Sequence, residues 1–280
     1  MSSLFLFISQ ADSTDSISAS SEALPVENIQ NTQRSKPWRS GVGTTSSIQF
    51  QLSNPLGADY LALIDCNLTT AGEVRIEAWD DAFDGSTKTL DETFTPTIYQ
   101  TGEEAAAYGD GDYGVGLYGS NTPLEQLTNQ NLTIFPLGSV ITSAYYRLTF
   151  TDENTSYQQL GRLMLGAATT FTYNLSYGYN LTRVSRSASK ESIGGQRYVQ
   201  KRADRLRIQG EFPFMPDVER TEILRVFQSV SYDQPFVYSI YPEATNKGLS
   251  TSMYGRFENA DFVEEFFQAT NLGFAVLEEL

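Results

Sequence analysis

The sequence predicts a mainly β protein built from two units, a β-sandwich over residues 1–170 and a second unit of strands with one inserted helix over residues 171–280. Three observations predict it. Apolar residues recur at every second position in short runs bounded by Gly, Asn, Asp and Pro, which is how half-buried strands read. Tyr and Phe number 16 and 17, and aromatic residues suit the pleated surface of a sheet. The charge balance changes abruptly near residue 180, which separates the two units.

Each element follows from its own pattern. Leu4, Phe5, Leu6, Phe7 and Ile8 read as a first strand, since an apolar run of about five residues is shorter than the core of a signal peptide. Ser47 to Leu52 alternates through Ile48, Phe50 and Leu52, and Glu73 to Trp79 does so through Val74, Ile76 and Ala78. Tyr145 to Phe150 places Tyr146, Leu148 and Phe150 on one face. Tyr60 to Ile64 is continuously apolar, as in a strand buried on both faces or a tightly packed one. Residues 101–119 are rich in Gly and Tyr, with Tyr113 and Tyr118 among them, and read as an exposed, tightly turning loop. In the second unit a helix is expected over about 217–230, opening at Asp217 after Pro216, with Glu219 and Glu222 in its first turns. Val218, Ile223, Val226, Phe227 and Val230 would form its apolar face. Strands follow at Phe236 to Tyr241, Ser252 to Phe257 and Phe274 to Leu277.

Composition excludes several classes of function. The chain has 280 residues and a net charge of −15, which argues against nucleic acid or an anionic membrane as a general partner. It has no histidine, so Ser-His-Asp triads, Cys-His pairs and histidine-ligated metals are excluded. Its single cysteine, Cys66, lies beside an apolar run and reads as a small buried hydrophobe. No segment approaches the ~20 apolar residues of a membrane-spanning helix, so no membrane insertion is expected. The N-terminus has no basic leader, and a secretory route is not expected.

An enzyme of this composition would have to work through carboxylates such as Asp80, Asp81, Asp84, Asp110 and Asp112. Nothing in the sequence pairs them, so no catalytic residue is assigned and the chain reads as a non-enzyme. Asp110-Gly111-Asp112 and Asp80 to Gly85 offer hard oxygen ligands, and calcium is the one cation they suit. Turn formation explains both stretches without a metal, so no cofactor is expected. Residues 183–207 hold eight basic and two acidic residues and net +6. Arg183, Arg186, Arg197, Lys201, Arg202, Arg205 and Arg207 are therefore candidate docking residues against an acidic neighbour, including another copy of the chain. The stretch has two readings: a solvated strand pair, or such a contact.

Several segments together resemble a known architecture. Ser18-Ala19-Ser20-Ser21-Glu22-Ala23-Leu24-Pro25-Val26-Glu27-Asn28-Ile29 precedes Lys36-Pro37-Trp38-Arg39-Ser40. Ile48 to Leu52 and Leu61 to Leu68 follow, and Tyr146 to Asp152 and Leu160 to Gly166 come later. This order resembles a galactose-binding-like (discoidin-like) jelly roll, in the version found in minor tail and baseplate proteins of tailed bacteriophages. Leu206 to Phe214 and Gln234 to Tyr238 are similar to the β-barrel of tail-hub and distal-tail proteins, where a helix sits between strands. The resemblance implies a barrel-like second unit and a structural role in a phage tail tip or baseplate. It implies a virion location, with assembly in the host cytoplasm. The implied partners are copies of the chain in a ring and neighbouring tube, hub or fibre proteins. The alternative is a carbohydrate-binding module for a host surface glycan, with Trp38, Arg39, Tyr113 and Tyr118 as candidate contacts and Asn28 and Arg147 near them.

Overall fold

A computed structural model describes residues 4–6, 9–69, 71–85, 87–95, 132–170, 175–176, 178–192, 195–230, 233–241, 251–266 and 269–279. The chain opens with β1 (Leu4–Leu6) and then builds a sandwich. One sheet takes β2 (Thr14–Ala19) and β4 (Thr45–Leu52), with β6 (Glu73–Trp79), β7 (Lys88–Phe94) and β9 (Tyr145–Thr151). Its antiparallel order is β2-β4-β9-β6-β7. The facing sheet takes β5 (Ala58–Ile64), β8 (Leu132–Ile141) and β11 (Arg162–Gly166) in the order β11-β5-β8. A short pair, β3 (Trp38–Arg39) with β10 (Gln159–Leu160), closes one end. This five-on-three antiparallel sandwich is the jelly-roll architecture that the sequence implied.

The core follows from the alternation. Ile48, Phe50 and Leu52 from β4, Val74, Ile76 and Ala78 from β6, and Tyr146, Leu148 and Phe150 from β9 are all buried in one cluster. Across from them lie Leu61, Leu63, Phe135, Leu137, Leu163 and Leu165 of the smaller sheet. The smaller sheet is buried on both faces, which explains the continuous apolar run. Leu61 and Leu63 point into the sandwich, while Ala62, Ile64, Leu132 and Met164 form a separate cluster with Val237 and Tyr254 of the second lobe.

The barrel-like unit expected for 171–280 takes the form of a single seven-stranded antiparallel sheet. Its order is β12-β1-β17-β18-β19-β16-β13, with β12 at Thr169–Thr170, β13 at Asn180–Val184 and β16 at Arg205–Pro216. The remaining strands are β17 (Phe236–Ser239), β18 (Ser252–Phe266) and β19 (Ala269–Glu278). A hairpin of β14 (Ala188–Glu191) and β15 (Arg197–Gln200) stands apart. The helix α1 spans Asp217–Val230, as its sequence pattern predicted. Ile223 turns into the lobe's core, whereas Val218, expected on the same face, is 78% exposed.

The 1–170 boundary needs correction at its start. β1 pairs with β17 on one side and β12 on the other, so the first strand belongs to the second sheet. Phe5 lies 1% exposed among the rings of Phe212, Phe236, Tyr238, Phe257 and Phe274, with centroids 4.4–6.3 Å away. The sandwich is thus inserted between β1 and β12 of the other lobe. Polar contacts reinforce this joint. Arg34 donates to both carboxylate oxygens of Asp65 at 2.6 Å and to the Glu279 carbonyl at 2.6 Å. Charge-assisted pairs of this two-pronged kind also fix orientation.

Candidate functional site

The surface with the least internal explanation is the segment between β13 and β16. The two strands pair from Asn180 opposite Gln209 to Val184 opposite Arg205. Beyond that the chain continues as the β14–β15 ribbon, from Ala188 opposite Gln200 to Glu191 opposite Arg197. Gly195 supplies the turn with φ +80°, a conformation that costs glycine little. The Ser192 hydroxyl accepts from the Gln196 amide at 3.1 Å, and the Ser187 hydroxyl accepts from the Arg202 amide at 3.2 Å. Seven residues separate the Val184 pair from the Glu191 pair, so the arm reaches at most about 23 Å at ~3.3 Å per residue. Every residue of β13, β14 and β15 is exposed, including Tyr198 and Val199 at 60% and 57%.

The structure divides the seven predicted docking residues into two groups. Arg186, Arg197, Lys201 and Arg202 are exposed along the arm, with Lys190 beside them opposite Tyr198. Arg183, Arg205 and Arg207 sit at its base and serve their own chain. Arg207 is ion-paired with Glu258 at 2.5 Å. Arg183 and Arg205 bring positive potential to Glu278, whose carboxylate accepts from the Leu206 amide at 2.6 Å. Burial outweighs these influences and raises the Glu278 pKa above its ordinary value. The base of the arm therefore already meets carboxylates of its own lobe.

The glycan candidates separate likewise. Trp38 is 0% exposed and packs in the sandwich core with its ring 5.8 Å from Phe150, so it is no surface contact. A Trp beside a strand end reads alike in sequence whether it faces core or solvent. Arg39, its neighbour, turns the other way and is half-buried. Its guanidinium lies 4.5 Å over the Tyr157 ring and donates to the Gln159 amide oxygen at 2.7 and 3.1 Å. Asn28 donates to the Pro37 carbonyl at 3.0 Å, a bond within the sandwich. Tyr113 and Tyr118, with Asp110 and Asp112, lie outside the described residues.

The structure also assembles a charged cluster that pairwise sequence reading did not predict. Trp79, Glu77 and Arg75 project from β6 onto the outer face of the larger sheet. Trp79 is buried there beneath Phe83, Lys88 and the Arg147 guanidinium. Arg147 grips both oxygens of Asp84 at 2.8 Å, and Asp80 accepts from the Ser143 hydroxyl. Glu77, with a 7% exposed side chain, faces Lys88, Arg75 and Arg147. The 80–85 loop is therefore a lid on Trp79, with two of its carboxylates engaged by protein groups. Among the described residues, no group of three or more His, Cys, Asp or Glu is placed to hold a metal ion. No helix among them is long and apolar enough to cross a membrane.

No protein-family model matches the sequence, and no curated relative matches it. Solved structures similar to the chain include a CBM32 module from a family 31 glycoside hydrolase of Clostridium perfringens. It is 16% identical with a TM-score of 0.37, over 58% of this chain and 95% of that one. A chitosan-binding module from a Paenibacillus chitosanase/glucanase is 17% identical with a TM-score of 0.36, over 57% of this chain and 99% of that one. The family 32 module of C. perfringens NanJ, solved with galactose, is 12% identical with a TM-score of 0.36, over 58% and 98%.

Proposed function

We propose that the protein is a non-catalytic docking component of a larger assembly and that the basic arm, residues 184–204, is its contact. One observation carries this reading: the distribution of charge. The chain nets −15, and residues 184–204 hold five basic and two acidic residues and net +3, so the rest of the chain carries −18. Opposite charge on a projecting element and on the body favours association by complementarity. An isolated two-stranded ribbon is marginal in water, so a partner surface would also stabilise the arm. The acidic partner that fits is the body of a second copy. The sequence resemblance implies that such an assembly would stand in the tail tip or baseplate of a bacteriophage, with tube, hub or fibre proteins as further neighbours.

The test is sedimentation of the full chain at about 0.05 M and about 0.5 M salt, spanning strong and weak screening. Self-association at low salt, lost at high salt and in an Arg197→Glu, Lys201→Glu, Arg202→Glu variant, is expected. A wild-type chain that stays monomeric throughout, or a variant that assembles normally, would overturn docking between copies. Antibody labelling of purified phage particles tests the location, with label confined to the distal tail expected.

A second reading, glycan recognition by the sandwich lobe, is favoured by the half-buried Arg39 over Tyr157 at the end of the sandwich. A guanidinium on an aromatic face presents both hydrogen-bond donors and an apolar surface, which suits a sugar. Arg39→Ala and Tyr157→Ala in the full chain should each abolish glycan binding. Binding unchanged in both would retire this reading.

A further inference from the structure

The seven-stranded sheet of the second lobe ends at β13, whose far side has no strand against it among the described residues. An edge strand carries a row of N–H and C=O groups that can pair with a strand laid beside it, and natural edges are commonly blunted by bulges, proline or charge. β13 has neither bulge nor proline: its register with β16 is unbroken from Asn180 to Val184. Its one charge, Arg183, is drawn to the Glu278 carboxylate of its own lobe. All five residues of β13 are exposed. Leu181 lies opposite Ile208 of the lobe's core yet is 42% exposed, and Val184, on the other face, is 38% exposed. The core of the lobe thus ends at an uncovered apolar rim.

This edge is complementary to itself. In an antiparallel ladder the two residues of a pair turn their N–H and C=O groups alike, both toward or both away from each other. Groups that point away from β16 alternate along β13, so two copies of the strand can pair only through residues whose numbers are both odd or both even. A two-fold axis then passes through a residue, and centring it on Thr182 pairs the whole strand. Thr182 meets its own copy, a cross-strand pair that side-chain hydrogen bonding favours. Leu181 stands opposite the other copy's Arg183, whose aliphatic stem covers apolar surface, and Asn180 stands opposite Val184. No like charges are directly opposed. Past Val184 each chain leads its basic arm toward Ser176 of the other copy, whose amide donates to the carbonyl of the exposed Glu211 at 2.9 Å. Charge complementarity between arm and body therefore acts in the same direction as the edge. The sheet's other edge, β12, offers only Thr169 and Thr170 among the described residues, so a head-to-tail pairing of the two edges would be shorter. We infer that β13 is a dimerisation edge, pairing antiparallel with β13 of a second copy about a two-fold axis at Thr182. The inference rests on the reading of the arm as a contact between copies and names where the copies meet. An isologous contact of this kind closes at two copies.

The test is cysteine cross-linking of the full chain at about 0.05 M salt, where screening is weak. Directly opposed residues stand about 4.5–5.5 Å apart at Cα, within the reach of a disulfide. Thr182→Cys should therefore cross-link under a mild oxidant. Val184→Cys would hold its two thiols four residues apart, about 13 Å, beyond that reach. Cys66 is buried and does not compete. Thr182, Val184 and Leu181 are exposed, so the lobe stays folded in each variant, and unchanged melting verifies this. The expected result is a linked dimer formed at least about tenfold faster by Thr182→Cys than by Val184→Cys. Self-association measured by sedimentation should also be at least about tenfold weaker in Leu181→Lys, which sets a like charge opposite Arg183. Equal cross-linking at both positions would overturn the inference. So would self-association that Leu181→Lys leaves intact and reversal of the arm's charges removes; docking by the arm would then stand without the edge. Cross-linking of Thr182→Cys that survives reversal of the arm's charges would support the edge and remove the arm from the contact. A chain that stays monomeric throughout would overturn both.

Discussion

Phe5→Ala should open the second lobe while leaving the sandwich folded, although Phe5 precedes every strand of the sandwich. Its ring is stacked on Tyr238 at 4.4 Å and lies within 6.3 Å of Phe212, Phe236, Phe257 and Phe274. Truncating a buried Phe costs about 3–5 kcal/mol through lost transfer energy and the cavity left behind. Each ring pair adds roughly 0.5–1.5 kcal/mol, so the upper half of that range is expected. Since 1.4 kcal/mol is about a factor of ten, that upper half, about 4–5 kcal/mol, should make amides of β17, β18 and β19 exchange hydrogen about 700- to 4,000-fold faster. Hydrogen exchange resolved by peptide measures this directly. Tryptophan emission gives an independent control, because Trp38 and Trp79 both lie in the sandwich and report on that lobe alone. Unchanged emission with rapid exchange in β17–β19 is the expected pair of results. Exchange in those strands within a few-fold of wild type, or faster exchange centred on β4 and β9, would refute the assignment of β1 to the second sheet.

Three further outcomes follow from buried polar groups. Glu77→Ala should destabilise the sandwich by about 1–3 kcal/mol in denaturant melts, below the full cost of a buried charge because Lys88 and Arg75 are partly solvated; a neutral effect would show that solvent already screens the cluster. Glu278→Gln should be stabilising at neutral pH and not at pH 4. Burial raises the Glu278 pKa, so its contribution is fully present below the ordinary 4.5 and is lost as pH rises through the higher folded value; melting the pair across pH 4–8 checks this, and an equal loss at both ends would refute it. Cys66, whose thiol burial pushes up to about 12, should resist thiol reagents at pH 8 until the sandwich unfolds; stoichiometric labelling of folded protein would contradict the burial.

The strands were legible where one face is buried. Glu73–Trp79 and the helix Asp217–Val230 stand as the residue pattern indicates, because period-2 and period-3.6 burial are local properties. The run at Leu61–Ile64 correctly implied burial on two faces but not by what, since the second cover, Val237 and Tyr254, lies far along the chain. Ser252–Phe257 and Phe274–Leu277 were only the apolar halves of β18 and β19. Their remainders include polar residues such as Asn259 and Asn271 and do not alternate cleanly, in part because the register shifts between Phe257 and Asn259. The candidate sites were legible in charge and illegible in geometry. Eight basic residues within 183–207 announced a positive surface, but only pairing reveals that Arg207 serves Glu258.

The insertion of the sandwich between β1 and β12 ties the arm to one physical requirement. The second lobe cannot complete its sheet until the chain's first strand returns to pair with Leu4 opposite Ser239 and Thr170. That pairing closes a loop of about 160 residues, an entropic cost that grows only logarithmically with length. A folded sandwich shortens the effective loop by holding β11 to the residues just before β2 through Arg162, which donates to Asp12 at 2.6 Å and to the Gln30 carbonyl at 2.7 Å. The sandwich should therefore fold first and bring β1 to its site. The arm hangs on β13 and β16, so it depends on that closure. A chain that starts after residue 8 should keep the sandwich's tryptophan emission and lose self-association. If such a truncation kept self-association at full strength, β1 would not be needed to hold β16 in place, and the arm would have to be supported by the helix and β19 alone.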